Sequence, residues 1–131
     1  MLKEKNIEEF LTKKGWNFSN NKSIVGVIMP SKIDLFFGTG GIFTTKYIAL
    51  HFGEDGIAVM PLNNLTGKIE SKSSFLITSN RIKSIIFKKN FLSYQLVING
   101  ENFELKCRVN KITIAASWHK KGLANILEQY N

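Results

Sequence analysis

Apolar and polar residues alternate most regularly between positions 91 and 109. Asn99-Gly100 interrupts this stretch, and Asn-Gly fits a two-residue type I′ turn because both turn positions need positive φ. With Ile98 opposite Glu101, the expected pairs are all apolar: Leu96 with Phe103, Tyr94 with Leu105, and Leu92 with Cys107. The alternate positions are polar, namely Ser93, Gln95, Glu104, Lys106 and Arg108. The pattern therefore predicts an antiparallel hairpin with one buried face.

A second hairpin is predicted between residues 44 and 62, with residues 53–56 as its turn. Parity places Ile48, Leu50, Phe52, Ile57 and Val59 on one face. The other face is also mostly apolar, with Tyr47, Ala49, His51, Ala58 and Met60. Because such a sheet surface is normally covered, we expect the N-terminal helix or a second copy of the chain to lie against it. The candidate interface residues are Tyr47, His51 and Met60.

Helices are predicted near both ends. Asn6 and Glu9 have the spacing of a capping box, and Gly15 is a typical helix end. Residues 112–130 place their apolar side chains on one side at helical spacing. Gly122 lies at the edge of that side, where the missing side chain permits close approach to a sheet. We therefore expect this helix to pack on the strands.

Four further apolar segments are predicted to be strands. They are residues 24–29, 33–37, 75–78 and 82–88. Residues 65–72 form either a short strand or a loop. Together with the two hairpins, these segments predict a mainly β fold of the α+β class.

The chain carries 18 Lys and Arg against 10 Asp and Glu, a net charge of +8, and most of the excess follows residue 62. A basic surface favours anionic partners such as nucleic acid or lipid headgroups. Lysines also solubilise a surface and protect an exposed strand edge from aggregation, and both interpretations stay open. The candidate residues for binding an anion or a partner are Arg81, Lys83, Lys88, Lys89, Lys106 and Arg108, which Lys68 and Lys72 could extend.

The single cysteine, Cys107, excludes an internal disulfide and favours a reducing compartment. Residues 1–14 are too charged for a signal peptide. No apolar run approaches the length of about 20 residues that spans a bilayer. We therefore expect a cytoplasmic protein without a transmembrane segment.

Candidate catalytic groups each have a structural explanation. The glycine-rich residues 37–41 lack the Gly-Lys-Ser/Thr ending of a phosphate-binding loop and are expected to be a connector. Cys107 and His119 fall on apolar faces, where core roles are expected. Glu54 and Asp55 fit an exposed turn. We predict no enzyme activity, cofactor or metal.

Three stretches resemble a bacterial pleckstrin-homology-like domain of the group that includes GRAM modules. They are residues 47–57, residues 75–94 and the Asn-Gly hairpin with its following helix, some two-thirds of the chain. The resemblance implies a bent antiparallel sheet or partly open barrel of about seven strands, plugged by the C-terminal helix, that binds lipids, peptides or proteins without catalysis. In lipid-binding members the first hairpin loop is basic, whereas residues 53–56 are acidic, which argues against phosphoinositide binding there.

These observations predict a single domain, residues 1–131. Residues 44–131 would form the pleckstrin-homology-like core, and residues 1–43 an extension whose short helix packs on it. The expected function is a non-enzymatic binding module that acts through protein contacts or self-association. The alternatives are a basic small barrel that binds nucleic acid and a peripheral binder of anionic membrane lipids.

Overall fold

The computed structural model describes residues 2–31, 45–113 and 116–130. Two helices and seven strands form it: α1 (Glu4–Lys14), β1 (Ser23–Ile28), β2 (Tyr47–Gly53), β3 (Gly56–Leu62), β4 (Phe75–Thr78), β5 (Ile82–Lys89), β6 (Ser93–Gly100), β7 (Glu104–Asn110) and α2 (Ser117–Tyr130). The strands make one antiparallel sheet in the order β4-β3-β2-β1-β7-β6-β5. The mainly β fold with a short N-terminal and a C-terminal helix is confirmed. The predicted strand at 33–37 and the glycine connector at 37–41 lie outside the described residues.

Each side of the sheet packs against one helix. On the inner face, Leu123 and Ile126 of α2 join apolar residues from six of the strands in the main core. On the outer face, Ile7 and Leu11 of α1 pack on β2 and β3 at Ala49, Ala58, Met60 and Leu62. The second apolar face of the β2–β3 hairpin is thus covered by α1, the first of the two expected covers. A helix of 11 residues is marginal alone, so this contact is also what holds α1 folded.

The first strand of the sheet lies before the predicted boundary at residue 44. β1 lies at the centre of the sheet, paired with β2 over five residues and with β7 at Val27–Arg108 and Ile28–Cys107. Residues 44–131 therefore supply six of the seven strands. The sequence pattern could not place β1, because strands that are distant in the chain pair through long-range packing.

The register of the β6–β7 hairpin also differs from the prediction. Leu96 faces Cys107 and Ile98 faces Leu105, so the turn is Glu101-Asn102 rather than Asn99-Gly100. Gly100 does not have positive φ; instead, the ring of Phe103 occupies the space that a Cβ of Gly100 would fill. The shift is by an even number of residues, so each side chain still lies on its predicted face.

Both helices begin at positions other than those predicted. α1 starts at Glu4, and Asn6 caps it from inside, since its Oδ1 accepts the Lys3 N–H at 2.8 Å. Gly15 ends α1 with φ of 74°, as expected. α2 starts at Ser117 rather than near 112, because the Lys111 N–H still donates to the Leu92 carbonyl (3.1 Å) and extends the strand ladder. Within the described residues, no helix is long and apolar enough to cross a bilayer.

His119 of α2 is inserted into the sheet where β1 and β7 separate. In their shared register the Met29 N–H donates to the Lys106 carbonyl (3.1 Å), and the equivalent bond would join Val25 to Asn110. Instead, His119 Nδ1 accepts the Val25 N–H (2.9 Å) and Nε2 lies 2.6 Å from the Asn110 carbonyl oxygen. Because an N–H can only donate, Nδ1 is unprotonated and Nε2 donates. The buried imidazole thus replaces one ladder hydrogen bond by two, as a neutral core histidine.

Candidate interaction surface

The outer face of the sheet carries a row of exposed and half-buried side chains beyond the area that α1 covers. Register pairs Tyr47 with Val27, Val27 with Arg108, Arg108 with Gln95, and Gln95 with Lys88. Paired residues of antiparallel strands point to the same side, so these five side chains form a line across five strands. Arg108 and Lys88 are exposed, and Tyr47 is 42% exposed.

A second, parallel row lies beside the first. Lys106 pairs with Val97, and Val97 pairs with Ile86, which is 51% exposed on the edge strand β5. Glu104, two residues from Lys106 on the same strand face, lies 3.4 Å from its ammonium. This ion pair is partly exposed to solvent and contributes little to stability. We call the two rows the mixed sheet face, because charged, apolar and aromatic side chains lie together on it.

The six predicted basic residues are therefore divided. Lys88, Lys106 and Arg108 share the mixed sheet face. Lys89 is paired with Tyr94 and points to the side opposite Lys88. Lys83 lies at the irregular start of β5, and Arg81 lies in a 3₁₀ turn with its guanidinium 5.9 Å from the Phe103 ring centre. One continuous cluster of all six is not present.

The three predicted interface residues are also divided. Met60 is fully buried under α1, and His51 is 1% exposed. Neither side chain offers surface to a second copy of the chain. Tyr47 is exposed and begins the row across the sheet, with the Lys46 ammonium 5.4 Å from its ring centre.

His51 is held as a neutral ring by contacts on both sides. Nε2 accepts the Ser19 N–H at 3.1 Å, so the ring donates from Nδ1 to Ser23 Oγ at 2.7 Å. Phe18 stacks on it at 5.1 Å between ring centres. Burial first, and the charge of Lys22 second, lower the pKa of His51 from 6.5 to about 4. The residue joins the segment after α1 to β2, which is a structural role.

We expect acid to destabilise the fold through His51. The imidazole of His51 binds a proton more readily in the unfolded chain than in the folded one. The contribution of neutral His51 to the free energy of unfolding is therefore complete above pH 6.5 and is lost as the pH falls towards 4. A pKa difference of this size corresponds to about 3 kcal/mol of unfolding free energy. Urea unfolding measured across this pH range should show the loss. The variant H51Q, which cannot titrate, should show a smaller loss, and parallel curves for the two proteins would contradict the assignment.

The remaining candidate chemical groups lie in unreactive settings. Burial raises the pKa of the Cys107 thiol to about 12, so the thiolate nucleophile is not formed near neutral pH. Asp55, in the exposed β2–β3 turn, accepts a hydrogen bond from the Asn17 amide (2.6 Å). Among the residues that the structure describes, no three His, Cys, Asp or Glu side chains are grouped to hold a metal. These groups therefore give no candidate reactive centre among the described residues.

Val27 and Gln95 of the mixed sheet face are absent from the predicted site, and so are Ile86 and Val97, which belong to apolar doublets. Their signal in the sequence is the pair of apolar doublets 85–86 and 97–98. In a strand, neighbouring residues point to opposite sides, so one member of each doublet must face outwards. Which one does so depends on the side that the core occupies.

Comparison of the chain with protein-family models, with curated proteins and with solved structures gives no match. The residues of the mixed sheet face themselves are therefore the basis for assigning a function.

Proposed function

We propose that this chain is a non-enzymatic pleckstrin-homology-like binding module that contacts an acidic protein through the mixed sheet face. The order of its elements supports the family assignment, since seven antiparallel strands precede a helix that covers their inner face. Two of the resembling stretches coincide with the β2–β3 hairpin and with the run from β4 to β6. In this strand order the first hairpin is β1–β2 and the acidic residues 53–56 form the turn of the second, so this turn does not bear on phosphoinositide binding by the first loop.

The observation that carries the proposal is the composition of the mixed sheet face. Protein interfaces combine apolar or aromatic contacts with a polar rim, and arginine and tyrosine are enriched in them. Here Tyr47 on β2 and Ile86 on β5 supply exposed apolar area at opposite ends of the face, which also carries the charges of Arg108 and Lys88. An acidic partner complements these charges.

Two rivals fit this face less well. If two copies met through the same face, Arg108 and Lys88 of each copy would face like charges, which disfavours that dimer. Single-stranded nucleic acid is held by several stacking aromatics. Among the described residues of this face only Tyr47 is aromatic, so successive bases would have no series of rings on which to stack.

Two substitutions test the surface. Arg108→Glu reverses an exposed charge, and Ile86→Thr removes exposed apolar area while keeping a β-branched residue. The matched controls are Lys68→Glu and Leu65→Thr in the exposed loop after β3. Proteins captured from lysate of the source cells by wild type would be purified and titrated calorimetrically with each variant. We expect R108E to weaken binding at least tenfold, or about 1.4 kcal/mol, and I86T several-fold, with both controls unchanged.

Equal binding by all variants would show that the partner uses another surface. Light scattering at tens of micromolar separates self-association from partner binding. A stable dimer that R108E disrupts would show that the face binds a second copy of the chain and not an acidic partner. Oligonucleotide titrations at low and high salt test the alternative that this face binds single-stranded nucleic acid. Tight binding with a steep salt dependence that R108E reduces would identify nucleic acid instead.

A further inference from the structure

The turn between β5 and β6 carries a cluster of exposed apolar side chains. Phe91 is 81% exposed and Leu92 is 75% exposed. The Asn90 N–H donates to the Ser93 carbonyl (2.8 Å) at the base of the turn, and the Lys111 N–H donates to the Leu92 carbonyl (3.1 Å). Ile112, the next residue, is 73% exposed. We call Phe91, Leu92 and Ile112 the apolar tip.

Folding does not require apolar residues in this turn. Short hairpin turns favour Gly, Asn, Asp and Ser for conformational reasons, and the other two short hairpins here follow that preference with Glu54-Asp55 and Glu101-Asn102. Residues 91–92 are instead Phe-Leu, and both side chains remain in solvent. Exposed apolar clusters mark interaction sites. Residue types that do not favour the local structure are expected mainly at functional sites.

The tip is held in place by a lysine. The Lys111 ammonium donates to the Phe91 carbonyl (2.9 Å) and lies 5.6 Å from the centre of the Tyr94 ring. Its charge is thereby kept at the base of the tip. The apolar side chains at the end of the turn are thus separated from the cationic group behind them.

The surroundings of the tip are cationic. Lys88 and Lys89 precede the turn and Lys111 contacts it, whereas the sequence contains no Asp or Glu between Glu70 and Glu101. Residues 105–127 also lack acidic side chains. Apolar side chains in front of a ring of lysines match an anionic bilayer, where the former enter the acyl boundary and the latter meet phosphates.

We propose that the apolar tip docks this protein on anionic lipid bilayers, with Phe91 and Leu92 inserted and the lysines at the headgroup level. The contact is with the surface as a whole and needs no pocket for one headgroup. An uncharged apolar pocket on another protein could bind the apolar side chains but would make no favourable contact with the surrounding lysines. Membrane docking is a function separate from protein binding and uses a different surface, with Lys88 at the border between the apolar tip and the mixed sheet face.

A single-site fluorophore tests insertion directly. Cys107 is buried and its thiol has a raised pKa, so an environment-sensitive thiol label attaches at an introduced cysteine alone. Leu92→Cys places it at the tip, and Leu65→Cys places it in an exposed loop as a matched control, since Leu65 is 96% exposed. With phosphatidylglycerol–phosphatidylcholine vesicles, we expect a blue shift at position 92 and none at position 65. Pure phosphatidylcholine vesicles should give little shift at either position.

Vesicle sedimentation tests the two components separately. F91S/L92S is expected to lower partitioning about 30-fold, because each inserted side chain contributes apolar transfer energy. K88Q/K89Q is expected to lower it about tenfold, whereas K68Q/K72Q, which removes the same charge elsewhere, should change it less than about twofold. Since Phe91 and Leu92 are exposed, F91S/L92S should unfold at the wild-type urea concentration, which excludes misfolding as the cause.

Failure of the wild-type protein to partition onto the anionic vesicles would overturn the proposal. Partitioning that F91S/L92S leaves intact would also do so, since it would reflect net charge alone. If light scattering instead showed a dimer that F91S/L92S abolishes, without vesicle binding, the tip would be a contact between two copies. None of these outcomes affects partner binding through the mixed sheet face, which R108E reports.

Discussion

Replacement of His119 by phenylalanine is expected to lower the free energy of unfolding by about 2–4 kcal/mol. Phenylalanine keeps an aromatic ring in the buried site but can neither accept the Val25 N–H nor donate to the Asn110 carbonyl. The Val25 N–H and the Asn110 carbonyl would then have no hydrogen-bond partner, because β1 and β7 are too far apart at this point to bond to each other. Urea unfolding near neutral pH measures the loss.

A second readout distinguishes this role from simple packing. The Val25 amide should exchange rapidly with solvent in H119F, whereas amides within the β2–β3 pairing should keep their protection. H119Q, whose amide can both accept and donate, should recover part of the stability. Unchanged protection of the Val25 amide in H119F would show that β1 and β7 close without the imidazole.

Replacement of Gly122 by alanine is expected to cost about 3 kcal/mol or more, or to prevent folding. A Cβ at this position would overlap the carbonyl oxygen of Ser23 and stand 3.0 Å from its carbonyl carbon. Both are backbone atoms of β1, so no side-chain rotation relieves the overlap. α2 would have to move away from the strand that it covers. Urea or thermal unfolding measures the effect.

The sign of this change is itself informative. In an unpacked helix, replacing glycine by alanine stabilises by about 1 kcal/mol, which is opposite to the expectation here. The control is Lys121→Ala, which alters the exposed neighbouring residue of α2 and should change stability by less than about 0.5 kcal/mol. A G122A protein as stable as wild type would show that α2 does not lie as close to β1 as the structure has it.

The candidate surfaces were only partly predictable. Lys88 and Lys89 are neighbours in the sequence but point to opposite sides of β5, and Arg108 meets Lys88 through the intervening Gln95. A row across strands depends on which strands are adjacent and in which register, and neither is present in local patterns. The sequence pattern does not predict the apolar tip, because alternation places Leu92 within a strand opposite Cys107, whereas Leu92 lies in a turn.

By itself, the sequence determined the side of the sheet on which most side chains lie, the cover required by the β2–β3 hairpin, and the close approach allowed by Gly122. These are local properties, since strand alternation and helical spacing repeat within a few residues. The tertiary structure alone decided the central place of β1, the β6–β7 register and the insertion of His119 between two strands. Each of these depends on how residues far apart in the chain share one core, where packing outweighs the preference of a short motif such as Asn-Gly.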